Sequence, residues 1–415
     1  MTWERVPLKE LGDWYGGGTP SKSNPAFWTD GDVPWLSPKD MGPEVLHGTQ
    51  DHVTSEAVSG SSTKLVPAGS VAVVTRSGIL ERTIPVSIVP FATTMNQDMK
   101  AVVPRAGIDP RWIAWGLRAF ERDLLRDTRK AGTTVASIEM PRWYGFKLPV
   151  PPLEEQRRIV AILEDHLSRL DAAEKMVCTA KSRIEALGHA RRYRLFDDLS
   201  STTAALLDHT TIANGQTPKG LIGSLSDARR PGAVPFYKVG DMNNAVGRWM
   251  DGARNFVDLT VAGSLNLHVR PAGTVIIPKR GGAIATNKKR ILREPAALDL
   301  NTMGLMPGAG LTSSYLWHWL QTVDLGLLSD GSNVPQINGP QVRSMRLPVP
   351  DLQTQRTVSD ELDEAEQEAS RLSAACAAAA RRSAALRRSL LSAAFSGRLT
   401  GSASEMSVVE GRIQA

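Results

Sequence analysis

Residues 148–157 read LPVPPLEEQR, and residues 347–356 read LPVPDLQTQR. Seven of the ten positions are identical, at a separation of 199 residues in a chain of 415. A period of nearly half the chain means two copies of one unit rather than a solenoid of short repeats. Each copy stands just before a long stretch with helical, heptad-like patterning. The unit is therefore a globular part followed by a long helix, present twice.

The repeat extends outward from the decapeptide. Thr19-Pro20 matches Thr217-Pro218, and Val33-Pro34-Trp35 matches Val234-Pro235-Phe236. Asp40-Met41 matches Asp241-Met242, and Pro67-Ala68-Gly69-Ser70-Val71 matches Pro271-Ala272-Gly273-Thr274-Val275. Gly132-Thr133-Thr134-Val135 with Ile138 matches Gly331-Ser332-Asn333-Val334 with Ile337. The offset drifts from 198 to 204 and returns to 199, which places small insertions in loops and keeps the framework. The organisation read from this series is a first globular domain at 1–147 and a helix with its Pro-rich lead-in at 148–199. A second domain follows at 200–346 and a second such helix at 347–400, with a disordered tail expected at 401–415.

Within the first globular part, Gly69–Thr75 is β-rich between Pro67 and Gly78, with a counterpart at Gly273–Ile277. Residues 110–127 are predicted to form one amphipathic helix burying Trp112, Trp115 and Leu117, with a counterpart around Tyr315, Leu316, Trp319 and Leu320. All ten tryptophans lie in the globular parts and none in the long helices, which separates core-forming modules from coil. Leu-Pro-Val-Pro cannot lie inside a helix, because each proline removes a donor and biases its predecessor to extended geometry. The helices should begin just after Leu153 and Leu352.

In the first helix Leu163, Leu170, Ala173, Val177, Ala180, Ile184 and Leu187 recur in steps of three, four or seven, with His166 as a polar intruder. In the second, Leu362, Ala365, Ala369, Leu372, Cys376, Ala379, Leu386, Leu390 and Ala393 recur likewise. A helix over 154–196 would be about 60 Å long at 1.5 Å per residue. The fold class is α+β: two pseudo-symmetric mixed domains, each followed by a long helix, with the helices packed as an antiparallel coiled coil that holds the modules apart. Ile159, Val160 and Ile162 exceed what one seam needs, so the helix faces are read either as solvated surface or as a dock for another subunit.

Composition narrows the class. At 41% hydrophobic and 22% charged the chain is globular. Cys178 and Cys376 both fall in the helices and read as small packing residues, not as a disulfide or metal pair. No leader pattern and no run of 18 apolar residues occurs, so the cytosol is the expected compartment. The net charge of +6 is concentrated at 200–349, which carries 15 Lys+Arg against 9 Asp+Glu. Such an excess permits nucleic-acid binding.

Enzyme motifs are missing. Gly16-Gly17-Gly18-Thr19-Pro20-Ser21-Lys22 lacks the spacing of a phosphate-binding loop, and Pro20 blocks the helix such a loop must open. Asn24-Pro25-Ala26-Phe27 lacks the second proline of the adenine-methyltransferase motif. No zinc or helicase signature is present, so the chain is expected not to be catalytic and to hold no metal or cofactor.

The order of module, Leu-Pro-Val-Pro-x-Leu-x-x-Gln-Arg and long helix, twice over, resembles the specificity subunit of type I restriction-modification systems. The opening Trp3-x-x-Val6-x-Leu8 with Gly17-Gly18-Thr19-Pro20, and Ala393-Ala394-Phe395-Ser396-Gly397-Arg398-Leu399, resemble that family too. The resemblance covers about 1–400. It implies that each module is a target recognition domain reading half of a split double-stranded DNA sequence. It also implies that the helices act as a ruler and as a dock for two methyltransferase subunits, which carry S-adenosylmethionine; a motor-nuclease subunit could join. A DNA-recognition subunit of another phage-defence assembly, and a two-headed scaffold that binds only proteins, stay open beside it.

Candidate DNA contacts are basic or amide-bearing residues on matched turns. Arg76 and Ser77, and Lys279 and Arg280, follow matched strands next to glycine and could meet phosphate or a guanine edge. Asn287, Lys288, Lys289 and Arg290 form the densest basic run. Lys22, Lys39, Lys219 and Lys238 lie near matched turns, and Thr133, Thr134, Asn333 and Gln336 could add neutral hydrogen bonds.

Overall fold

The computed structural model describes residues 3–130, 135–245, 247–330 and 333–400. The expected tail at 401–415 lies outside the described residues. The chain forms two compact units, one built from the residues up to Val177 together with those from Ala378 onward, the other from Cys178–Ala377. Each unit therefore contains one globular part and a half of each long helix.

In the first unit the strands Gly12–Gly16, Met99–Pro104, Ser70–Val74 and Val86–Val89 form an antiparallel sheet in that order. Ser70–Val74 is buried along its length. Successive side chains point to opposite faces, so Val71 and Val73 join Ile113, Ala114 and Leu117 in one cluster. Ala72 and Val74 join Leu36, Val66 and Met95 in another. A strand with both faces covered has no polar alternation to display, which is why it reads as an unbroken apolar run. The second unit repeats the plan with Thr210–Asn214, Thr302–Pro307, Val275–Pro278 and Arg290–Leu292, and adds Trp249–Met250 in parallel at the edge. A smaller sheet accompanies each: Asp51–Val53, Val33–Leu36 and Thr94–Met95 in the first unit, and Phe256–Asp258, Ala233–Tyr237, Ala296–Leu298 and Val269–Arg270 in the second.

The glycine-rich turn has a structural reason. A Cβ on Gly17 would stand 1.7 Å from the Asn96 carbonyl oxygen, and one on Gly215 would stand 1.9 Å from that of Asp299. Only glycine lets these two backbones cross.

The repeated decapeptide is explained residue by residue. Lys147–Pro149 pairs antiparallel with Arg5–Pro7, and Arg346–Pro348 with Thr203–Ala205, burying Leu148 and Leu347. The helices then run over Leu153–Asp197 and Leu352–Phe395. The glutamine at the ninth position is buried in both copies. Gln156 Oε1 accepts the Asp109 N–H at 2.9 Å, while Nε2 donates to the carbonyls of Gly107 and Pro151 at 3.0 and 2.8 Å. Gln355 makes the same three bonds, to Thr312, Gly310 and Pro350. Each glutamine thus ties the root of a long helix to the N-terminus of a module helix, Pro110–Ala119 or Ser313–Leu320.

The distal ends dock aromatically. Phe395 stacks on Trp112 with ring centroids 4.4 Å apart, and Phe196 meets Tyr315 at 5.2 Å. The single helix expected over 110–127 is in fact two, Pro110–Ala119 and Glu121–Thr128. The break falls at Phe120, whose backbone leaves helical geometry while its ring turns toward Phe146 and Phe395.

The long helices pack antiparallel within each unit. In the first, Asp171 pairs with Arg387 and Glu174 with Ser383. In the second, Arg192 reaches Glu366, and Phe196, four residues on, shares a cluster with Val358. The inward stripe of the first helix is Leu163, Leu167, Leu170, Glu174, Val177, Ile184, Gly188 and Arg192; as far as Gly188 it keeps the heptad, but the companion of each seam position stands four residues on rather than three. Ala173 and Ala180 are therefore exposed, as are Leu187 and Leu372. Cys178 faces solvent rather than packing, and Cys376 is half-buried. The surplus apolar residues Ile159 and Val160 pack beneath Trp112 and Trp115 inside the first unit. No helix among the described residues is long and apolar enough to cross a membrane.

One docking contact differs between the copies. Trp115 Nε1 donates to Glu164 at 3.0 Å in the first unit. In the second, His318 Nε2 lies 2.8 Å from Asp363, with Arg248, Arg192 and Glu366 around it. Burial lowers the His318 pKa to about 4, against the pull of Asp363. A histidine depressed from about 6.5 in the unfolded chain contributes stability present above pH 6.5 that is lost as pH falls toward 4. His318→Gln, which keeps a donor to Asp363 but does not titrate, should remove on the order of 1–3 kcal/mol of that acid sensitivity. Urea titrations at pH 7 and pH 4.5 on both proteins check this; equal pH dependence would exclude His318 as its source.

Candidate nucleic-acid interface

The matched strand ends form one edge per unit, built from the same backbone bonds. In the first unit the Thr75 N–H donates to the Asp98 carbonyl at 2.8 Å, and the Ile138 N–H to the Thr75 carbonyl at 2.8 Å. Ser77 donates to Ala136 at 3.0 Å and Lys130 to Ser137 at 2.9 Å. In the second unit the same four bonds run from Lys279 to Asn301 at 2.7 Å and from Ile337 to Lys279 at 2.9 Å. They continue from Gly281 to Pro335 at 2.8 Å and from Asp330 to Gln336 at 3.0 Å. Isolated bridges set Arg76 opposite Ser137 and Arg280 opposite Gln336. Residues widely separated in sequence thus converge at one edge in each unit.

In the first unit this edge is a cleft of about 490 Å³ whose lining includes Arg76, Gln97, Lys100, Lys130 and Val135. Arg76 Nε lies 2.6 Å from Asp98 Oδ1, and its side chain is 57% exposed. The carboxylate holds the guanidinium from one side and leaves both terminal nitrogens free to donate outward. Lys100 and Lys130 have no side-chain partner among the described residues. The Thr19 hydroxyl donates to Gln97 Oε1, which places the matched Thr-Pro turn beside the cleft. In the second unit Thr217 Oγ1 accepts from the Leu300 N–H at 3.3 Å at the corresponding place. There Arg280 donates to Gln336 Oε1 at 3.1 Å. Burial and the neighbouring Arg280 lower the pKa of Lys279.

The expected contacts sort unevenly. Arg76 with Ser77, and Lys279 with Arg280 and Gln336, come together at the two edges. The Ser77 hydroxyl caps the turn Gly78–Glu81, which reduces its availability to a ligand. Thr133 and Thr134 lie outside the described residues. Lys22, Lys219, Lys238 and Asn333 are exposed. Lys39 is held by Asp51 at 2.7 Å, which raises its pKa, and neither it nor Lys22 lines the cleft.

The densest basic run is not a basic patch. Asn287 adopts the left-handed conformation at φ 51° and its Oδ1 receives both Lys289 Nζ and the Leu325 N–H. Lys289 is only 1% exposed, its ammonium is satisfied by Asn287 and the Val323 carbonyl, and burial lowers its pKa to about 8. Lys289 therefore leaves the set of candidate DNA contacts. Arg290 is half-buried in its strand, with burial lowering its pKa, and Lys288 bonds Asn243. Gln97, Lys100 and Lys130 were missed because no repeat match marks them: their counterparts are Leu300, Met303 and Asp330. Among the described residues no cluster of His, Cys, Asp and Glu could hold a metal ion.

Residues 1–177 match the family model of the type I restriction modification DNA specificity domain. The chain is 48% identical over 157 residues to the specificity subunit of the type I restriction enzyme EcoR124I/EcoR124II of Escherichia coli, covering 38% of this chain and 39% of that protein. It is 25% identical over 164 residues to the MjaIX specificity subunit of Methanocaldococcus jannaschii, covering 39% and 37%. The aligned stretches thus span well under half of these curated relatives. In fold, the chain is similar to one from a study of complex assembly and conformational transition of the type I R-M system, with TM-score 0.77 and 19% identity over 96% of this chain and 98% of that one. The HsdS subunit of Thermoanaerobacter tengcongensis gives TM-score 0.60 at 19% identity over 96% and 97%. In sequence over its first 177 residues, and in fold over nearly its whole length, the protein is similar to type I restriction-modification specificity subunits.

Proposed function

We propose that this chain, whose first 177 residues match a DNA specificity domain, is the sequence-reading subunit of a type I restriction-modification complex. Residues 1–147 and 200–346 each read one half of a bipartite duplex target. The long helices dock two methyltransferase subunits, which bring S-adenosylmethionine, and a motor-nuclease subunit can join them. The chain itself transfers no methyl group and cuts no strand. The observation that carries this reading is the family match of residues 1–177, joined to the repetition of the same backbone framework at the matched edge of the second unit. A protein that reads two half-sites needs two copies of one framework with different side chains at their reading edges.

The test is co-expression with a methyltransferase subunit, followed by methylation-sensitive sequencing of the host genome. A split motif with a fixed unspecified gap, absent without this chain, is the expected result. The chain purified alone should transfer no methyl groups. Methylation at an unsplit motif, or methyl transfer by the isolated chain, would overturn the reading.

A further inference from the structure

The two matched edges are an internal comparison: one backbone framework, two sets of side chains. The matched hydrogen bonds align Arg76 with Arg280, Asp98 with Asn301, Lys130 with Asp330 and Ser137 with Gln336. Strand register aligns Lys100 with Met303. Across these pairs a lysine becomes an aspartate, another lysine becomes a methionine, and the carboxylate behind the arginine becomes an amide. The arginine alone is retained among the charged residues of this edge. It is held differently in each unit, by Asp98 at 2.6 Å and by Gln336 at 3.1 Å, yet both guanidiniums keep outward donors.

We infer that Arg76 and Arg280 are sequence-independent phosphate anchors, and that base discrimination comes from the diverged side chains around them, Lys100 foremost in the first unit. The inference rests on the proposed DNA-reading function and divides labour within it. Two modules reading different half-sites face different base edges but the same backbone phosphate. A contact to phosphate can therefore be identical in both, while a contact to a base edge must change with the sequence read. A lysine presents a point charge that pairs with a guanine edge; its counterpart Met303 is buried and offers no donor at all.

The experiment uses the complex of full-length chain and methyltransferase, with two duplexes: one carrying the motif methylated by the wild type, one with that motif scrambled. Arg76→Gln should weaken binding to both duplexes by a similar factor, roughly five- to tenfold, leave the methylated motif unchanged, and reduce the slope of log affinity against log salt by about 0.9. Arg280→Gln should do the same. Arg76→Lys should restore affinity and slope, because phosphate accepts a point charge, and it guards against loss through misfolding. Lys100→Met should relax the methylated motif within one half-site and bind the scrambled duplex as the wild type does. Relaxed base preference in Arg76→Gln, undiminished affinity, or an unchanged motif in Lys100→Met would overturn the inference. A wild-type complex that binds neither duplex would instead overturn the DNA-reading function on which it stands.

Discussion

Exchanging residues 200–346 for the corresponding stretch of a relative with a different target is expected to change one half of the methylated motif and leave the other half intact. The reason lies in how each module closes on itself. Its reading edge, its sheet and the helix that docks it share hydrogen bonds and core clusters inside one unit. The second module enters at Thr203–Ala205 and leaves at Arg346–Pro348, two strands paired with each other, so both ends of the exchanged segment meet at one place. An exchange that keeps Phe196 and Gln355 retains the aromatic and amide contacts that seat the module on its helices. Sequencing of methylated sites in cells carrying parent and hybrid reads the outcome. A hybrid that is active and altered in both halves would show that the modules do not read independently.

Truncating Gln156 should give a loss of about 2–4 kcal/mol in unfolding free energy, since Gln156→Ala removes three hydrogen bonds and strands the buried Pro151 carbonyl and the buried Asp109 N–H. Gln156→Glu should not rescue it, because a carboxylate cannot donate to the carbonyls of Gly107 and Pro151. Arg157 provides the control. It is identical in both copies of the decapeptide, but its side chain is 53% exposed and pairs with Glu154 at 2.9 Å. Arg157→Ala should lose under about 1 kcal/mol. Denaturant unfolding of the three variants against wild type measures these differences. Equal losses at 156 and 157 would mean that the buried amide does not anchor the helix root.

The period of 199 residues, the extended lead-ins, the start of both helices and the strands at Ser70–Val74 and Val275–Pro278 were all legible in the sequence. These features follow from local chemistry: proline stops a helix, an unbroken apolar run buries both strand faces, and a duplicated framework repeats its turns. Other features depend on partners remote in sequence, and only the tertiary structure decided them. Gln156 and Gln355 stood in plain view as repeated residues, but their purpose lies in backbone groups some 45 residues earlier. The inward stripe of the first helix pairs Leu163, Leu170 and Ile184 with residues four positions on, Leu167, Glu174 and Gly188, so Leu187, three positions after Ile184, faces solvent. The run Asn287-Lys288-Lys289-Arg290 looked like a basic surface, yet a left-handed turn at Asn287 and acceptors on Asn287 and Val323 draw Lys289 inside. Lys100 and Lys130 gave no signal because they lie where the two copies of the framework diverge, and a repeat reveals only what they share. Composition and period thus determined that two like modules are mounted on two long helices. Which charges face outward was settled by strand register and by hydrogen bonds between distant segments, because a charge can meet a ligand only when the fold leaves donors of it exposed at a surface.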